Sequence, residues 1–211
     1  VKETGARVPS PEAAFPPPPD LSEKLDRYEA LLRKWQGAIN LVAPSTLAEA
    51  RRRHFDDSLQ LVPLIPAGAK VLVDLGSGAG FPGLVLALAT GLETHLIESD
   101  QRKAEFLRAV SRETRAPVTV HARRIEQVAP FQADVVTARA LAALPILLGH
   151  AARFAGPHTV ALFPKGRGAE AELATVDLTT QSASPKMTID LHPSRTDPDA
   201  VLIRIEGFAR G

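Results

Sequence analysis

Cysteine is missing from all 211 residues. This excludes disulfides, thiolate metal sites and a cysteine nucleophile, and is compatible with a reducing compartment. Long apolar runs are lacking too. No window approaches the roughly 18 consecutive apolar residues of a membrane span, and the first thirty residues do not show the charged-then-apolar order of a signal peptide. A soluble cytoplasmic protein is expected, monomeric and with neither membrane partner nor metal site. Charge of one sign is also scarce: 25 Lys and Arg face 24 Asp and Glu, a formal net charge of +1. A nucleic-acid partner must then be met by a local basic patch and not by the whole surface. With 45% hydrophobic and 23% charged residues, the chain is long enough for one well-packed domain with an N-terminal appendage, and two full domains are not expected.

What is present begins with proline. Residues 1–19 carry no periodic apolar pattern and include Pro11 and the run Pro16 to Pro19, which favours polyproline II and reads as a flexible or extended tail in preference to a ligand for a proline-reading domain. Residues 20–66 read as a helical extension. Asp20 with Glu23 has the form of a capping box, and Leu21, Leu25, Tyr28, Leu31, Leu32 and Trp35 recur at helical spacing. Pro44 stops that helix, and Thr46 with Glu49 offers a second box opening a helix that carries Arg51, Arg52, Arg53 and His54.

From Lys70 the texture alternates between strand-like and helix-like stretches, the mark of a mostly parallel sheet with helices on both faces. Strands are predicted at 70–75, 93–98, 117–121, 133–138 and 158–164, with helices near 82–90, 100–114, 124–128, 142–154 and 168–175. Two further β-like runs, 186–192 and 200–206, read as an antiparallel hairpin appended to make seven strands. Residues 67–211 thus form one α/β domain.

The stretch Val71-Leu72-Val73-Asp74-Leu75-Gly76-Ser77-Gly78-Ala79-Gly80-Phe81-Pro82-Gly83 takes an apolar strand into a glycine-rich turn and an apolar helix. Such a turn lets a nucleotide-like ligand lie against bare backbone at a helix N-terminus. Two readings compete. A dinucleotide fingerprint counted from the strand end requires a third glycine where Phe81 stands. The frame at Gly76 instead matches Asp-x-Gly-x-Gly-x-Gly, which resembles the S-adenosylmethionine loop of Rossmann-like methyltransferases. That resemblance implies Asp74 near the methionine end of the cofactor, with Gly76, Gly78 and Gly80 making room for it; a turn or cap role for Asp74 is the plain alternative.

Ligands of open α/β sheets sit beyond the strand carboxyl ends. The second strand ends in Glu98, 22 residues after Gly76, where a carboxylate can accept from both ribose hydroxyls of either kind of cofactor. After the third strand, Ile125 can pack on an adenine ring and Glu126 can read its edge, unless Glu126 is simply a helix N-terminal acid. The fourth strand ends at Arg139, whose guanidinium suits the methionine carboxylate, a phosphate or a structural ion pair. Amino-directed nucleic-acid methyltransferases resemble one another in an Asn/Asp-Pro-Pro-aromatic tetrapeptide at this place. Here it is absent, as is any cysteine for an adduct at pyrimidine carbon 5, so both of those routes are disfavoured and what remains includes a ring nitrogen or hydroxyl as acceptor.

Several segments together are similar to the GidB or RsmG family: Trp35 to Leu41, Arg53-His54-Phe55-Asp56-Asp57-Ser58-Leu59, the glycine loop through Phe81-Pro82-Gly83, Glu98-Ser99 with Phe106-Leu107, Arg124-Ile125-Glu126, Thr137-Ala138-Arg139-Ala140 and Lys165-Gly166. The resemblance implies a Rossmann-like fold and methyl transfer from S-adenosyl-L-methionine to nitrogen 7 of a guanine in 16S ribosomal RNA of the small subunit. It also implies cofactor contacts at Gly76, Phe81, Glu98, Ile125, Glu126 and Arg139. Two departures stand out: Gln36 replaces a more usual Asn, and Arg102-Lys103 reverses the usual order. Nitrogen 7 carries no proton, so no general base is expected, and a loop or everted base is the accessible substrate. Candidates for RNA contact are Arg51, Arg52, Arg53, Arg102, Lys103 and Lys165 at phosphates, with His54 at a base; a solvated face and a buried capping histidine are the plain alternatives. The rival functions are a small-molecule methyltransferase, a nicotinamide-dependent oxidoreductase and a non-catalytic ribosome-binding protein.

Overall fold

A computed structural model of the protein describes residues 14–176 and 187–207. Most of the predicted proline-rich tail (1–13) and position 186 of the predicted sixth strand lie outside the described residues. So do 177–185 and 208–211.

Among the described residues seven strands form one sheet: β1 Val71–Leu75, β2 Glu93–Ile97, β3 Val118–His121, β4 Ala133–Ala138, β5 Ala155–Lys165, β6 Thr188–Pro193 and β7 Val201–Glu206. Their order is β3-β2-β1-β4-β5-β7-β6. The pairings from β3 through β5 are parallel, while β7 runs antiparallel to both β5 and β6. The sheet is therefore mixed, with the expected hairpin supplying the antiparallel edge. The chain reverses its direction of travel between β1 and β4, and this is where a parallel sheet opens a crevice at its carboxyl end.

Alternation along the strands divides the core. Val73, Leu75, Val136 and Ala161 face one side, where they pack with Leu144, Leu147 and Ala151 of α5 (Leu144–Ala152). On the other side Leu96 joins Leu84, Val85 and Leu88 of α3 (Gly83–Thr90) and Phe106, Leu107 and Val110 of α4 (Gln101–Thr114). A short helix, α6 (Ala169–Ala174), follows β5. Where 124–128 was expected to be helical, only a 3-10 turn forms, Ile125–Gln127.

The N-terminal extension belongs to this second core. Helix α1 (Leu21–Gln36) buries Leu25, Tyr28 and Leu32, spaced three and four residues apart, against α3 and α4. Neither predicted capping box forms. Asp20 pairs with Lys24 at 2.9 Å and Glu23 with Arg27, each one turn on, so no side chain caps the helix start. Thr46 donates to the Ala43 carbonyl and Glu49 pairs with Arg52. The basic segment is instead a π-helix, Arg51–Asp56, running into one turn of α-helix, α2 (Asp57–Leu59). At the unusual Gln36 the amide group ends α1 productively: Oε1 accepts from the Leu41 and Val42 amides at 3.1 and 3.0 Å while Nε2 donates to the Val42 carbonyl. This hook brings Leu41 to the rim of the cleft described next.

Candidate active site

A cleft of about 540 Å3 opens at the switch point beyond β1, β2 and β4. Its floor is the glycine loop, in which Gly76 and Gly78 have positive φ of 64° and 56°. A β-carbon on Gly76 would come within 2.5 Å of Leu141 Cδ1, so the loop after β4 closes directly over bare backbone there. Glu98, buried at 8% exposure, holds the loop in place. Its Oε2 accepts from the Gly78 amide at 2.8 Å and its Oε1 from the Asp100 amide at 2.7 Å. Each oxygen keeps a further lone pair for a ligand hydroxyl.

Gly76, Gly78, Phe81, Glu98, Ile125, Glu126 and Arg139, all expected from sequence, line this one cleft. Asp74 and Gly80 do not. Asp74 lies fully buried beneath the loop, with Oδ1 accepting from Thr137 Oγ1 at 2.6 Å and Oδ2 without a partner of hydrogen-bond geometry. Burial raises its pKa to about 6; the Thr137 hydroxyl, Arg139 and the Gly83 amide at the start of α3 offset the effect only in part. Gly80 serves α1, since a β-carbon there would run into the Tyr28 hydroxyl. That hydroxyl donates to the Ala79 carbonyl, and burial pushes its pKa well up. The expected room for cofactor at these two positions is thus replaced by supports for the loop from below and behind.

Phe81, which took the place of a third glycine, is the centre of an aromatic stack. Tyr28 lies parallel to it at 5.4 Å, His54 at 5.1 Å, and the Arg139 guanidinium sits 5.2 Å from its centroid. Arg139 also donates to Asp57 Oδ2 (3.1 Å), His54 Nδ1 (3.2 Å) and the Arg53 carbonyl (3.4 Å). Because Nδ1 accepts, the His54 proton is on Nε2 and points to Thr46 Oγ1 at 2.8 Å. Burial, then Arg139, lower the His54 pKa to about 4, so this ring is neutral at physiological pH. A residue expected to touch a base has both nitrogens engaged inside the protein.

The other basic candidates are scattered differently from expectation. Arg51 pairs with Asp26 at 3.0 Å, Arg52 with Glu49 and the Thr196 carbonyl, and Arg53 with Asp197 at 2.8 Å. Arg102 is exposed on the first turn of α4, whereas its neighbour Lys103 lines the cofactor-sized cleft. Lys165 is tied to Glu172 and to the Ala142 carbonyl, with only 10% of its side chain exposed. Sequence reasoning missed Leu41, Leu141 and His150 as walls of the cleft. No local pattern marks Leu41 and His150, which arrive from elements remote from the glycine loop, while Leu141 comes in on the loop after β4, two residues past Arg139.

The volume falls in the range of nucleotide-sized sites, and the composition of the walls fits S-adenosylmethionine. A carboxylate stands where a ribose would lie, Ile97 and Ile125 offer apolar faces, and bare backbone borders the centre. The chain is similar in structure to a MtNAS mutant in complex with S-adenosylmethionine, with a TM-score of 0.56 and 14% identity over 90% of this chain and 73% of that one. The fold is Rossmann-like, and with the relatives it matches the chain is an S-adenosylmethionine-dependent methyltransferase. It is 53% identical to the ribosomal RNA small subunit methyltransferase G of Rhodospirillum centenum, over 98% of this chain and 96% of the relative, and 50% identical to that of Granulibacter bethesdensis, over 90% and 87%. The family model GidB, rRNA small subunit methyltransferase G, matches residues 21–194, and the chain belongs to that family.

Proposed function

We propose that this protein methylates ring nitrogen 7 of a guanine in the 16S RNA of the small ribosomal subunit. Family membership across residues 21–194 carries this reading, and the cleft supports it. Glu98 would hold the ribose hydroxyls, Ile125 the adenine face and Glu126 its edge, while Gly76 and Gly78 present backbone to the centre of the cofactor. Arg139, on the wall facing Phe81, would hold the methionine carboxylate. S-adenosylmethionine, when bound, supplies an electrophilic methyl group on a sulfonium.

The acceptor nitrogen has an in-plane lone pair and no proton, so the residues act by orientation and not as bases. Holding two reactants in line contributes on the order of 7–11 kcal/mol. Arg51, Arg52, Arg53 and Arg102 are the cations we assign to RNA phosphates; Arg102 is exposed, and the ion pairs of Arg51 and Arg52 are of the exposed kind worth about 0–1 kcal/mol, which a phosphate can displace. Among the described residues no helix is long and apolar enough to cross a membrane, and we place the protein in the cytoplasm, acting as a monomer. Mass mapping of 7-methylguanine in small-subunit RNA from cells with and without the gene is the test. One guanine should lose its methyl group when the gene is absent; an unchanged map overturns the assignment.

A further inference from the structure

A second cavity of about 490 Å3 adjoins the cofactor cleft, and the segment Arg139 to Ala142 forms the wall between them. Three cations and three carboxylates line it, and they neutralise one another. Arg53 pairs with Asp197, Arg139 with Asp57 and Lys165 with Glu172. The carboxylates are not equivalent, however. Asp57 uses Oδ1 to accept from Gln60 and Thr196 and Oδ2 to accept from Arg139. Asp197 uses Oδ2 for Arg53 and Oδ1 for the Asp199 amide.

Glu172 differs in having both of its bonds on one oxygen. Oε2 accepts from Lys165 Nζ and from the Leu144 amide, each at 2.8 Å, and among the described residues Oε1 has no partner. Glu172 thus lines the cavity with one carboxylate oxygen held and the other left to accept. Lys165 is in a complementary state. Two of the three protons on its ammonium go to Ala142 O and Glu172, which leaves one donor beside that acceptor.

Resting on the guanine-N7 reading above, we infer that this cavity is the pocket for the acceptor base, in which Glu172 accepts from the N1–H and N2–H of guanine and Lys165 donates to O6. Along the purine, nitrogen 7, O6, N1 and the N2 amine follow one another in that order. In the pocket Lys165 bonds to Ala142 of the shared wall on one hand and to Glu172 on the other, which allows the same order. Seating the base this way turns nitrogen 7 toward the cofactor cleft. Adenine is rejected because its N1 is an acceptor and would face a carboxylate, leaving two acceptors opposed. Lys165, expected from sequence to meet phosphate, reads a base instead.

The experiment compares wild type with Glu172→Gln on small subunits lacking the methyl group. Glutamine keeps an oxygen for Lys165 and the Leu144 amide and turns an NH2 donor toward the donors of guanine. We expect kcat/KM to fall about 100-fold, with S-adenosylmethionine affinity within twofold of wild type. Turnover within threefold of wild type overturns the pocket. If the glutamine variant does not fold, competition on the wild type decides. Guanosine monophosphate should inhibit at roughly tenfold lower concentration than inosine monophosphate, which lacks the N2 amine, or adenosine monophosphate; equal potency, or no inhibition by any of them, overturns it. The underlying function fails separately, by wild-type protein leaving no 7-methylguanine on the subunit.

Discussion

At the scale of single residues, Asp74 shows how a strand-end acid can belong to the fold more than to the ligand. Its folded pKa of about 6 exceeds the ordinary 3.8, so the native state binds the proton more tightly than the unfolded chain does. The stability linked to this group is therefore complete below about pH 4 and is lost as pH rises through 6. Asn mimics the protonated form. The stability of Asp74→Asn relative to wild type should improve by roughly 2–3 kcal/mol between pH 4 and pH 7, read from urea midpoints across that range. A difference that does not change with pH would show that the carboxylate carries no ionisation penalty. Gly80 gives a second test. Its φ of 88° and the closeness of Tyr28 predict that Gly80→Ala costs roughly 2–4 kcal/mol. Adding Tyr28→Phe should recover part of that loss by removing the hydroxyl in the way; a purely additive double variant would place the collision elsewhere.

At the scale of elements, the end of β4 is where the sheet, the π-helix and both cavities meet. Arg139 spans Asp57, His54, the Arg53 carbonyl and the face of Phe81 at once, a geometry that suits a planar fork and not a point charge. Ala140 follows it with a φ of 54°, unusual for a residue with a β-carbon. Arg139→Ala should lower methyl transfer at least about 100-fold while costing only about 1–3 kcal/mol of stability, and Arg139→Lys should not restore activity. Transfer assays beside thermal melts check this. A variant that melts near room temperature but turns over normally in its folded fraction would reduce Arg139 to a structural ion pair.

For the molecule as a whole, the near-zero net charge concentrates the question of RNA binding on a few places. Arg51, Arg52 and Arg53 are all committed to partners on α1, the preceding turn or the β6–β7 connection. Replacing all three with Gln should weaken RNA binding and flatten the salt dependence by about 0.7–0.9 in logarithmic slope for each phosphate no longer neutralised, with cofactor affinity unchanged. One or two phosphates should be released in this way. An unchanged slope with unchanged transfer to the small subunit would return these arginines to tying the helical extension to the sheet.

The amino-acid sequence alone determined the features that depend on neighbours in the chain. Alternating apolar runs placed every strand to within three residues at its described ends, because a side-chain period of two leaves a mark over only five residues. The turn after β1 and the acid ending β2 were legible for the same reason, and with them part of the lining of the cleft. Tertiary structure decided what each charged group faces. Nothing near Asp74 says that Thr137 and Gly83 enclose it, nothing near Gly80 announces Tyr28, and Glu172 stands in an ordinary acidic helix until Lys165 and Leu144 claim one of its oxygens. The ends of α1 and the basic segment went otherwise than their local patterns promised for a similar reason. Asp20, Glu23, Thr46 and Glu49 found partners other than a free helix amide, and whether a polar atom is satisfied depends on what folding brings within about 3 Å of it.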